Sequence, residues 1–344
     1  MSANPRPSAP PRELVDLRDN TNLWGPPPSA VAAFRGLDPA AIGPYPGPTG
    51  GRLLPALARY LEVREEEVTV GCGSDELIDA AFRLAGPGAP LRYLAPTFSM
   101  VPVYGLANRL VPCPIPIDKG GGIPRGFPPS GAGPGLLYLC TPNNPTGTTL
   151  PAGMIREAIA TAAGDALVVI DSAYADFAGE PPNAWMREAI RSGRTLVLRT
   201  FSKAWGLAGL RIGYAAGSPE LVARLVAIRS PYNLNAVAER VALAALERDG
   251  DWVRARAREA AESRDRLLGR LRERGRAPWD SAANFVLLPV ANAAEVVGRL
   301  LERGVAVRPF PGLPVIGDAV RIGVGPWPMV ERFLDALEEV LPCG

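Results

Sequence analysis

Apolar and polar residues follow two different periods along the first two thirds of the chain. Short apolar runs bounded by Gly, Pro or Asn predict buried strands, and the stretches between them carry apolar residues at helical spacing. The predicted strands cover residues 67–70, 91–94, 110–113, 135–140, 166–170, 195–199 and 210–215. The predicted helices cover residues 74–84, 100–108, 152–163 and 185–192. This alternation is typical of an α/β domain with a largely parallel sheet.

The pattern changes beyond about residue 219, where longer arginine-rich helices begin. One is predicted at residues 251–274, with Leu267, Leu268 and Leu271 on one stripe and its charges on a solvated face. Short strands at 284–289, 304–308 and 319–324 and a closing helix at 329–341 predict a smaller α+β domain. We therefore expect an N-terminal arm at residues 1–42 that packs on the small domain, a large α/β domain at 43–235 and a small C-terminal domain at 236–344.

Composition limits the class of protein. A chain of 344 residues with 47% hydrophobic residues buries a large core, and a net charge of +2 indicates no nucleic acid or other polyanionic partner. No apolar run is long enough to cross a bilayer, and the proline-rich start lacks the apolar stretch of a signal peptide. Cys72, Cys113, Cys140 and Cys343 show no CxxC spacing, which favours reduced thiols. These features predict a cytoplasmic enzyme with no metal and no membrane partner.

The chain contains no histidine, which excludes Ser-His-Asp and Cys-His catalytic units, HExxH metal sites and a histidine general base. Of its 37 basic residues, only Lys119 and Lys203 are lysines. A guanidinium stays protonated, whereas an amine that loses its proton forms an imine with an aldehyde or ketone. Lys203, in the segment FSKAWGLAGLRIGY that follows a predicted strand, is therefore the first candidate for catalysis.

Three other segments place polar residues next to predicted strands. Residues 68–78 form a strand that passes through Gly71 and Gly73 into a helix, whose free N–H groups suit a phosphate. The third glycine of the GxGxxG dinucleotide fingerprint is absent. The run TPNNPTG at residues 141–147, and Asp171 with Tyr174, follow two further strands, at the edge where open α/β sheets bind ligands. Taken singly, each segment is also explained as a turn or a helix cap.

Taken in order, the four segments resemble those of the fold-type I pyridoxal 5'-phosphate (PLP) enzymes, specifically the class I/II aminotransferases, over nearly the whole chain. The resemblance is strongest to the histidinol-phosphate aminotransferase group and to the related threonine-phosphate decarboxylases. It implies a large domain with a mostly parallel sheet, a smaller α+β C-terminal domain, PLP as the cofactor and a homodimer with shared active sites.

The resemblance also implies roles for individual residues. Lys203 would form the imine with PLP and shuttle the proton at the substrate's α-carbon, and Asp171 would pair with the pyridine nitrogen so that the ring acts as an electron sink. Tyr174 and Asn144 would bond to the ring's phenolate oxygen. The phosphate would be held by Gly73, Ser74, Asp75, Thr200, Ser202 and Arg211, with the Arg211 guanidinium as a charged fork.

Further contacts are implied around the cofactor. Phe98 would stack on its face, and Tyr45 would reach the phosphate bound by the neighbouring subunit. Arg321 would bind the substrate's carboxylate as a planar fork. Arg308 either lines the same pocket or is a surface residue, and Asn20 lies in the segment through which the chain enters the site.

The segment through which the chain enters the site, residues 19–26, departs from the family pattern. Thr21 and Leu23 stand where the family usually has Glu and Pro. Thr21 offers no charge to a cationic or imidazole-bearing substrate, so histidinol phosphate is the family default and not a deduction. The nearby arginines that a substrate phosphate would use are Arg6, Arg12 and Arg18.

We therefore expect a PLP-dependent aminotransferase that moves an amino group between an amino acid or amino-alcohol phosphate, of the histidinol-phosphate type, and a 2-oxo acid. A decarboxylase of the threonine-phosphate type is the alternative, since the spacing of residues 20–27 resembles that group, whereas the segment around Lys203 favours transamination. Other hypotheses are a transaminase of a specialised biosynthetic pathway, a catalytically idle PLP-binding protein and a nicotinamide-dependent dehydrogenase. The sequence does not identify the amino donor.

Overall fold

A seven-stranded sheet forms the centre of the larger part of the chain. The computed structural model describes residues 14–118, 122–124, 126–127, 134–161 and 166–341. Within these residues the strands are β1 (Val15–Asp16), β2 (Val68–Cys72), β3 (Pro90–Ala95), β4 (Val111–Pro116), β5 (Gly135–Cys140), β6 (Ala166–Asp171), β7 (Thr195–Thr200), β8 (Ile212–Ala216), β9 (Phe285–Pro289), β10 (Val305–Ala306), β11 (Arg308–Leu313) and β12 (Gly317–Gly323).

The helices of the described residues lie on both sides of this sheet and after it. They are α1 (Pro28–Arg35), α2 (Leu53–Leu61), α3 (Gly73–Ala85), α4 (Met100–Ala107), α5 (Ala152–Thr161), α6 (Met186–Ser192), α7 (Pro219–Ala227), α8 (Ala236–Arg248), α9 (Gly250–Glu273), α10 (Ala293–Glu302) and α11 (Trp327–Val340). None of these helices is long and apolar enough to span a membrane.

The direction of the strands brings many chain segments to one edge of the large sheet. The strand order is β2-β8-β7-β6-β5-β3-β4. Strands β3 to β7 pair in parallel, and β8 runs antiparallel to both β2 and β7. The carboxyl ends of β2, β3, β5, β6 and β7 therefore lie at one edge, together with the start of β8.

Both faces of the large sheet are covered by helices. On β5, Leu137 and Leu139 belong to a core cluster that includes residues of α2, α5 and α8. Leu136 and Tyr138 belong to a second cluster on the opposite face, which includes residues of α3, α4 and α7. Because successive side chains of a strand point to opposite faces, a strand covered on both faces is apolar throughout. This is why the continuous apolar runs of the sequence predicted these strands.

A second, three-stranded antiparallel sheet has the order β11-β12-β9. Its buried residues, such as Leu288 and Ile322, share a core cluster with Phe333 of α11. Strand β1 pairs in parallel with β10, and Val15 and Leu17 lie in the same cluster. The beginning of the described chain therefore packs on this smaller sheet and its helices.

The division into an arm, a large domain and a small domain remains a proposal. Ala238, Val241 and Ala245 of α8 pack in the core of the large sheet, although the predicted boundary at residue 235 assigns α8 to the small domain. Helix α9 joins the two cores, with Val253 in the larger cluster and Leu267 in the smaller one. Core packing favours a boundary inside α9.

Each predicted strand of the large sheet has a counterpart whose bounds differ by at most three residues. The single strand predicted at residues 304–308 is instead two strands, β10 and β11, which separate at Val307 and belong to different sheets. Helices α1, α2, α7, α8 and α10 had not been predicted individually. Part of the predicted helix 152–163 and most of the glycine-rich stretch 120–135 lie outside the described residues.

Neighbouring leucines of α10 provide a test of the smaller core. Leu300 is fully buried in that core, whereas Leu301 is 44% exposed. We expect Leu300→Ala to lower the free energy of unfolding by about 2–5 kcal/mol because it leaves a cavity. Leu301→Ala should change it by less than about 0.5 kcal/mol. Urea unfolding, followed by circular dichroism, measures both changes; equal losses would show that α10 is not packed in this way.

Candidate active site

A cavity of about 250 Å³ lies at the edge of the large sheet where the strand ends meet. Its lining contains most of the residues that the sequence indicated: Ser74, Asp75, Phe98, Asn144, Asp171, Tyr174, Thr200, Ser202, Lys203, Arg211, Arg308 and Arg321. A larger cavity of about 720 Å³, lined mainly by apolar side chains, contains none of the candidate site residues. The smaller cavity is therefore the candidate active site.

Lys203 reaches this cavity from a tight turn that follows β7. The turn is fixed by the N–H of Ser202, which donates to Thr200 Oγ1 at 3.0 Å, and by the N–H of Gly206, which donates to the Lys203 carbonyl oxygen at 3.0 Å. Lys203 Nζ donates to the carbonyl oxygen of Asp19 at 3.4 Å and lies 5.3 Å from the centroid of the Tyr174 ring. The amine is thus held at a defined place beside a phenol.

Asp171 ends β6 with a carboxylate that is almost completely buried. Its Oδ2 accepts a hydrogen bond from the Tyr138 hydroxyl at 2.6 Å, and its Oδ1 accepts one from the N–H of Ala173 at 3.1 Å. Burial raises the pKa of Asp171 above its ordinary value, while these two hydrogen bonds and the charge of Lys203 act in the opposite direction. A buried carboxylate in this position suits a cationic N–H group in the cavity.

Asn144 and Tyr174 are oriented by neighbours from distant parts of the chain. Asn144 Oδ1 accepts from Arg321 Nη1 at 2.6 Å, which leaves the amide NH2 group on the other side. The Tyr174 hydroxyl accepts from Asn20 Nδ2 at 3.4 Å, and its ring meets Phe285 edge to face with centroids 5.1 Å apart. Both side chains are therefore oriented by neighbouring residues of the chain.

The start of α3 forms a close-packed cradle with β8. Gly73 has φ +77°, and a Cβ there would lie 2.6 Å from Arg211 Nη2. A Cβ at Gly213 would lie 2.3 Å from the backbone nitrogen of Ser74. Arg211 Nη2 donates to Asp75 at 2.9 Å. The unpaired N–H groups of a helix's first turn and an adjacent guanidinium are the features that bind a phosphate.

Arg308 and Arg321 are brought together by the register of the smaller sheet. They lie directly opposite each other on β11 and β12, so their side chains share a face. Arg321 is 6% exposed, lies 5.3 and 5.4 Å from the ring centroids of Phe285 and Phe310, and donates through Nη2 to the Arg18 carbonyl oxygen at 2.8 Å. Burial lowers the pKa of Arg321, but a guanidinium starts so high that it stays charged.

Arg308 is more exposed and is paired less closely. Its Nη1 lies 4.0 Å from Oδ1 of Asp19, and both side chains are more than half exposed. Arg308 nevertheless lies in the lining of the cavity, and its role in substrate binding stays a prediction.

Three predicted site residues are not part of the cavity lining. One is Gly73, which begins α3 next to Arg211, and the others are Asn20 and Tyr45. Asn20 is 3% exposed, has φ +52° and donates a hydrogen bond through Nδ2 to the hydroxyl of Tyr174. Tyr45 is 82% exposed and stacks on Tyr232, with ring centroids 4.8 Å apart. Arg18 binds Asp16 through its side chain, and Arg6 and Arg12 lie outside the described residues.

Asp19, Phe310 and Tyr138 are not among the site residues that the sequence predicts. Asp19 and Phe310 line the cavity, and Tyr138 holds the carboxylate of Asp171. Phe310 follows Arg308 by two residues and so shares its face of β11, a signal that alternation along a strand contains. Alternation does not indicate Tyr138, because its contact with Asp171 depends on which strand lies next to β6.

The comparison with known proteins decides the family. The sequence model of the family described as aminotransferase class I and II matches residues 12–337. The chain belongs to this family. It is 37% identical to a histidinol-phosphate aminotransferase of Roseiflexus castenholzii, over 96% of this chain and 91% of that protein. It is also 34% identical to an aromatic amino acid aminotransferase of Corynebacterium glutamicum, over 96% of this chain and 95% of that one.

Solved structures agree with this assignment. The histidinol-phosphate aminotransferase of Sinorhizobium meliloti, solved in complex with PLP, superposes with a TM-score of 0.82 and 27% identity. The match covers 96% of this chain and 91% of that chain. The predicted fold-type I architecture, with a mostly parallel sheet, is confirmed, and the protein is a PLP-dependent aminotransferase.

The residues around the cavity fit PLP. When bound, the cofactor supplies an aldehyde that accepts amines and a ring that withdraws electrons from the substrate's α-carbon. This aminotransferase offers it Lys203 as the amine, Asp171 as the anion for the ring nitrogen, and the cradle of α3, β8 and Arg211 for the phosphate. These individual roles remain proposals. Variants of Lys203 test the role of the amine, and Gly213→Ala tests the phosphate cradle.

The lysine assignment predicts a loss of colour. Lys203→Ala and Lys203→Arg should both abolish the visible absorbance that PLP gives when it is joined to the enzyme, because neither side chain forms an imine. Lys203→Arg retains the charge, so loss of colour in this variant cannot be due to loss of charge. Lys119→Arg, which changes the other lysine of the chain, is the control and should stay yellow. A yellow Lys203→Arg enzyme would contradict the assignment.

The phosphate cradle predicts a strong effect of a single methyl group. Gly213→Ala places a Cβ against the backbone of Ser74, and overpacking of this kind costs about 1–3 kcal/mol. We expect weaker PLP binding in a fluorescence titration of the apoprotein. Gly209→Ala is the matched control, since a Cβ there meets nothing within 4 Å. If both variants weakened PLP binding equally, the cradle would not lie between α3 and β8.

Proposed function

We propose that this aminotransferase transfers the amino group of a donor of the histidinol-phosphate type, an amino acid or an amino-alcohol phosphate, to a 2-oxo acid. The observation that carries the proposal is the pair Arg308 and Arg321, which stand opposite each other on β11 and β12 at the cavity that also contains Lys203. Two guanidinium groups there form a site for a phosphate or carboxylate on the donor.

The environment of Arg321 supports an anion at this place. Its Nη1 and Nη2 are bound to Asn144 and to the carbonyl of Arg18, so the plane of the guanidinium is fixed. Its Nε is buried and has no hydrogen-bond partner among the described residues. An anionic group of the donor gives this N–H an acceptor, and the charge-assisted bond offsets the cost of burying Arg321. Arg308 adds a second guanidinium group. A phosphate, which has three acceptor oxygens, can accept from both arginines more readily than a carboxylate, which has two.

The residues of the chain then have distinct tasks in the transfer. Arg321 and Arg308 hold the donor so that its α-carbon lies near Lys203. Lys203 Nζ, as a free amine, would take the proton from the α-carbon of the donor and would hold it for the return step. Asp171 would supply the anion for the ring nitrogen of PLP, and the Tyr174 hydroxyl and the Asn144 amide would be the donors for its ring oxygen. The 2-oxo acid uses the same groups in the reverse direction.

A homodimer is part of the proposal. Tyr45 lies 82% exposed beside Ile42, which is 73% exposed, and both line a surface groove with Ala236 and Val237. A second copy of the chain would cover these apolar groups and would bring Tyr45 to the phosphate of the other subunit. We also propose a cytoplasmic location, which the free thiols of Cys72, Cys113 and Cys140 support.

A second donor class is favoured by the aromatic side chains of the cavity. Phe98 and Phe310 both line it, and one relative is an aromatic amino acid aminotransferase. An aromatic donor would stack on these rings, with its carboxylate on Arg321. Decarboxylation of a phosphorylated amino acid remains the alternative reaction.

A panel of single donors tests the proposal directly. The PLP-loaded enzyme is mixed with histidinol phosphate, threonine phosphate, glutamate or an aromatic amino acid, without any 2-oxo acid, and its absorbance is followed. We expect the visible absorbance to disappear as the amino group passes to the cofactor, fastest with histidinol phosphate. Release of a product amine with retained colour would show decarboxylation instead, and fastest conversion by an aromatic donor would favour the second donor class.

The same assay tests the arginine pair. Arg308→Gln should raise the KM for a phosphate donor about 10- to 100-fold, because it removes a charged hydrogen bond worth roughly 1.5–3 kcal/mol. The KM for an aromatic amino acid should change much less, since its single carboxylate uses Arg321. An equal change for both donors would mean that Arg308 does not recognise the phosphate.

A further inference from the structure

The hydroxyl of Tyr138 makes the shortest contact to the carboxylate of Asp171. Tyr138 lies on β5, the strand next to β6, and its Oη donates to Asp171 Oδ2 at 2.6 Å. Both side chains are buried, Tyr138 at 1% and Asp171 at 4% exposure. The bond is therefore shielded from water, where a hydrogen bond to a charged group is strongest.

The surroundings of the carboxylate offer few substitutes for this hydroxyl. Among the described residues, the other hydrogen bond to the carboxylate of Asp171 comes from the N–H of Ala173 and occupies Oδ1. The charged groups that act on it are Lys203, which favours its ionised form, and Asp75, which opposes it. The chain has no histidine that could serve as a donor here. Tyr138 is thus the side chain that holds the second oxygen.

Packing keeps Tyr138 in place and keeps its proton on it. The ring meets Phe82 edge to face, with centroids 6.1 Å apart and planes at 89°, and belongs to the core cluster on that face of the sheet. Burial, with the nearby carboxylate of Asp171, raises the pKa of Tyr138 well above its ordinary value. The hydroxyl therefore acts as a donor, and the carboxylate as the acceptor.

We propose that Tyr138 is a positioning residue of the transfer reaction, whose hydroxyl keeps Asp171 ionised and directed at the ring nitrogen of PLP. The inference rests on the role proposed above for Asp171. Without the hydroxyl, the buried carboxylate loses a donor that stabilises its charge and becomes more basic. The proton shared by the ring nitrogen and Asp171 then moves toward the carboxyl group, and the ring withdraws electrons less strongly.

Tyr138→Phe tests this directly, because it removes one oxygen and retains the ring that packs on Phe82. The apoprotein is loaded with PLP that carries ¹⁵N in its ring, and the ¹⁵N chemical shift is measured against pH. In the unaltered enzyme we expect a protonated ring nitrogen at neutral pH. In Tyr138→Phe the equilibrium should shift toward the unprotonated ring by about 10- to 100-fold, as expected for the loss of a hydrogen bond to a charged group.

Tyr93→Phe is the matched control. Tyr93 is the direct neighbour of Tyr138 on β3, is 6% exposed and belongs to the same core cluster. We expect its ¹⁵N shift and kinetics to equal those of the unaltered enzyme. For Tyr138→Phe we expect kcat of the half-reaction to fall about 10- to 100-fold with little change in KM, since the donor site is untouched. Unchanged ring protonation in Tyr138→Phe would overturn the proposal.

The double variant Tyr138→Phe/Asp171→Asn separates an indirect role from general damage. If Tyr138 acts through Asp171, the double variant should be almost as active as Asp171→Asn alone, because Tyr138→Phe then has no further effect. A full additional loss in the double variant would overturn the proposal, because it would show an effect independent of the carboxylate. The ¹⁵N readout needs only bound PLP, so it reports on Tyr138 even if the donor panel disproves the proposed substrate class.

Discussion

Strand direction determines where the chemistry of this enzyme lies. Because β3, β5, β6 and β7 run in parallel, their carboxyl ends meet at one edge of the sheet, and the antiparallel β8 brings its first residue to the same edge. Segments that are far apart in the chain, those around Ser74, Asn144, Asp171 and Lys203, thereby line one cavity. The core on both faces of the sheet fixes the strands, so the cavity has its shape before any ligand binds.

This arrangement buries charged side chains, which is unfavourable, and neighbouring groups stabilise these charges through hydrogen bonds. Asp171 is held by a phenol and a backbone N–H, and Arg321 by an amide and a backbone carbonyl. Hydrogen bonds to buried charges fix their direction as well as their charge state. Nε of Arg321 is buried and has no hydrogen-bond partner among the described residues. Preorganised groups of this kind need not rearrange during the reaction.

The sequence predicted the parts of the site that depend on local order. Lys203 was evident because lysine is so rare in this chain, and Asp171 because it ends a continuous apolar strand. The contacts of Tyr138 with Asp171 and of Arg308 with Arg321 depend on which strands are neighbours and in which register, which periodicity does not contain. For the same reason the sequence pattern predicts a single strand at residues 304–308. Alternation does not show that the chain changes sheets at Val307.

A chain without histidine divides proton transfer and charge control among other side chains. Lys203 is the proposed carrier of the transferable proton, because a guanidinium cannot release one. Arginine supplies fixed positive charge at Arg211, Arg308 and Arg321, and burial of Arg321 does not remove that charge. A phenol takes the place that an imidazole could fill beside a buried carboxylate. A phenol that keeps its proton over the working pH range donates constantly, whereas an imidazole would titrate near neutrality. The charge of Asp171 is therefore held by a partner that does not itself change with pH.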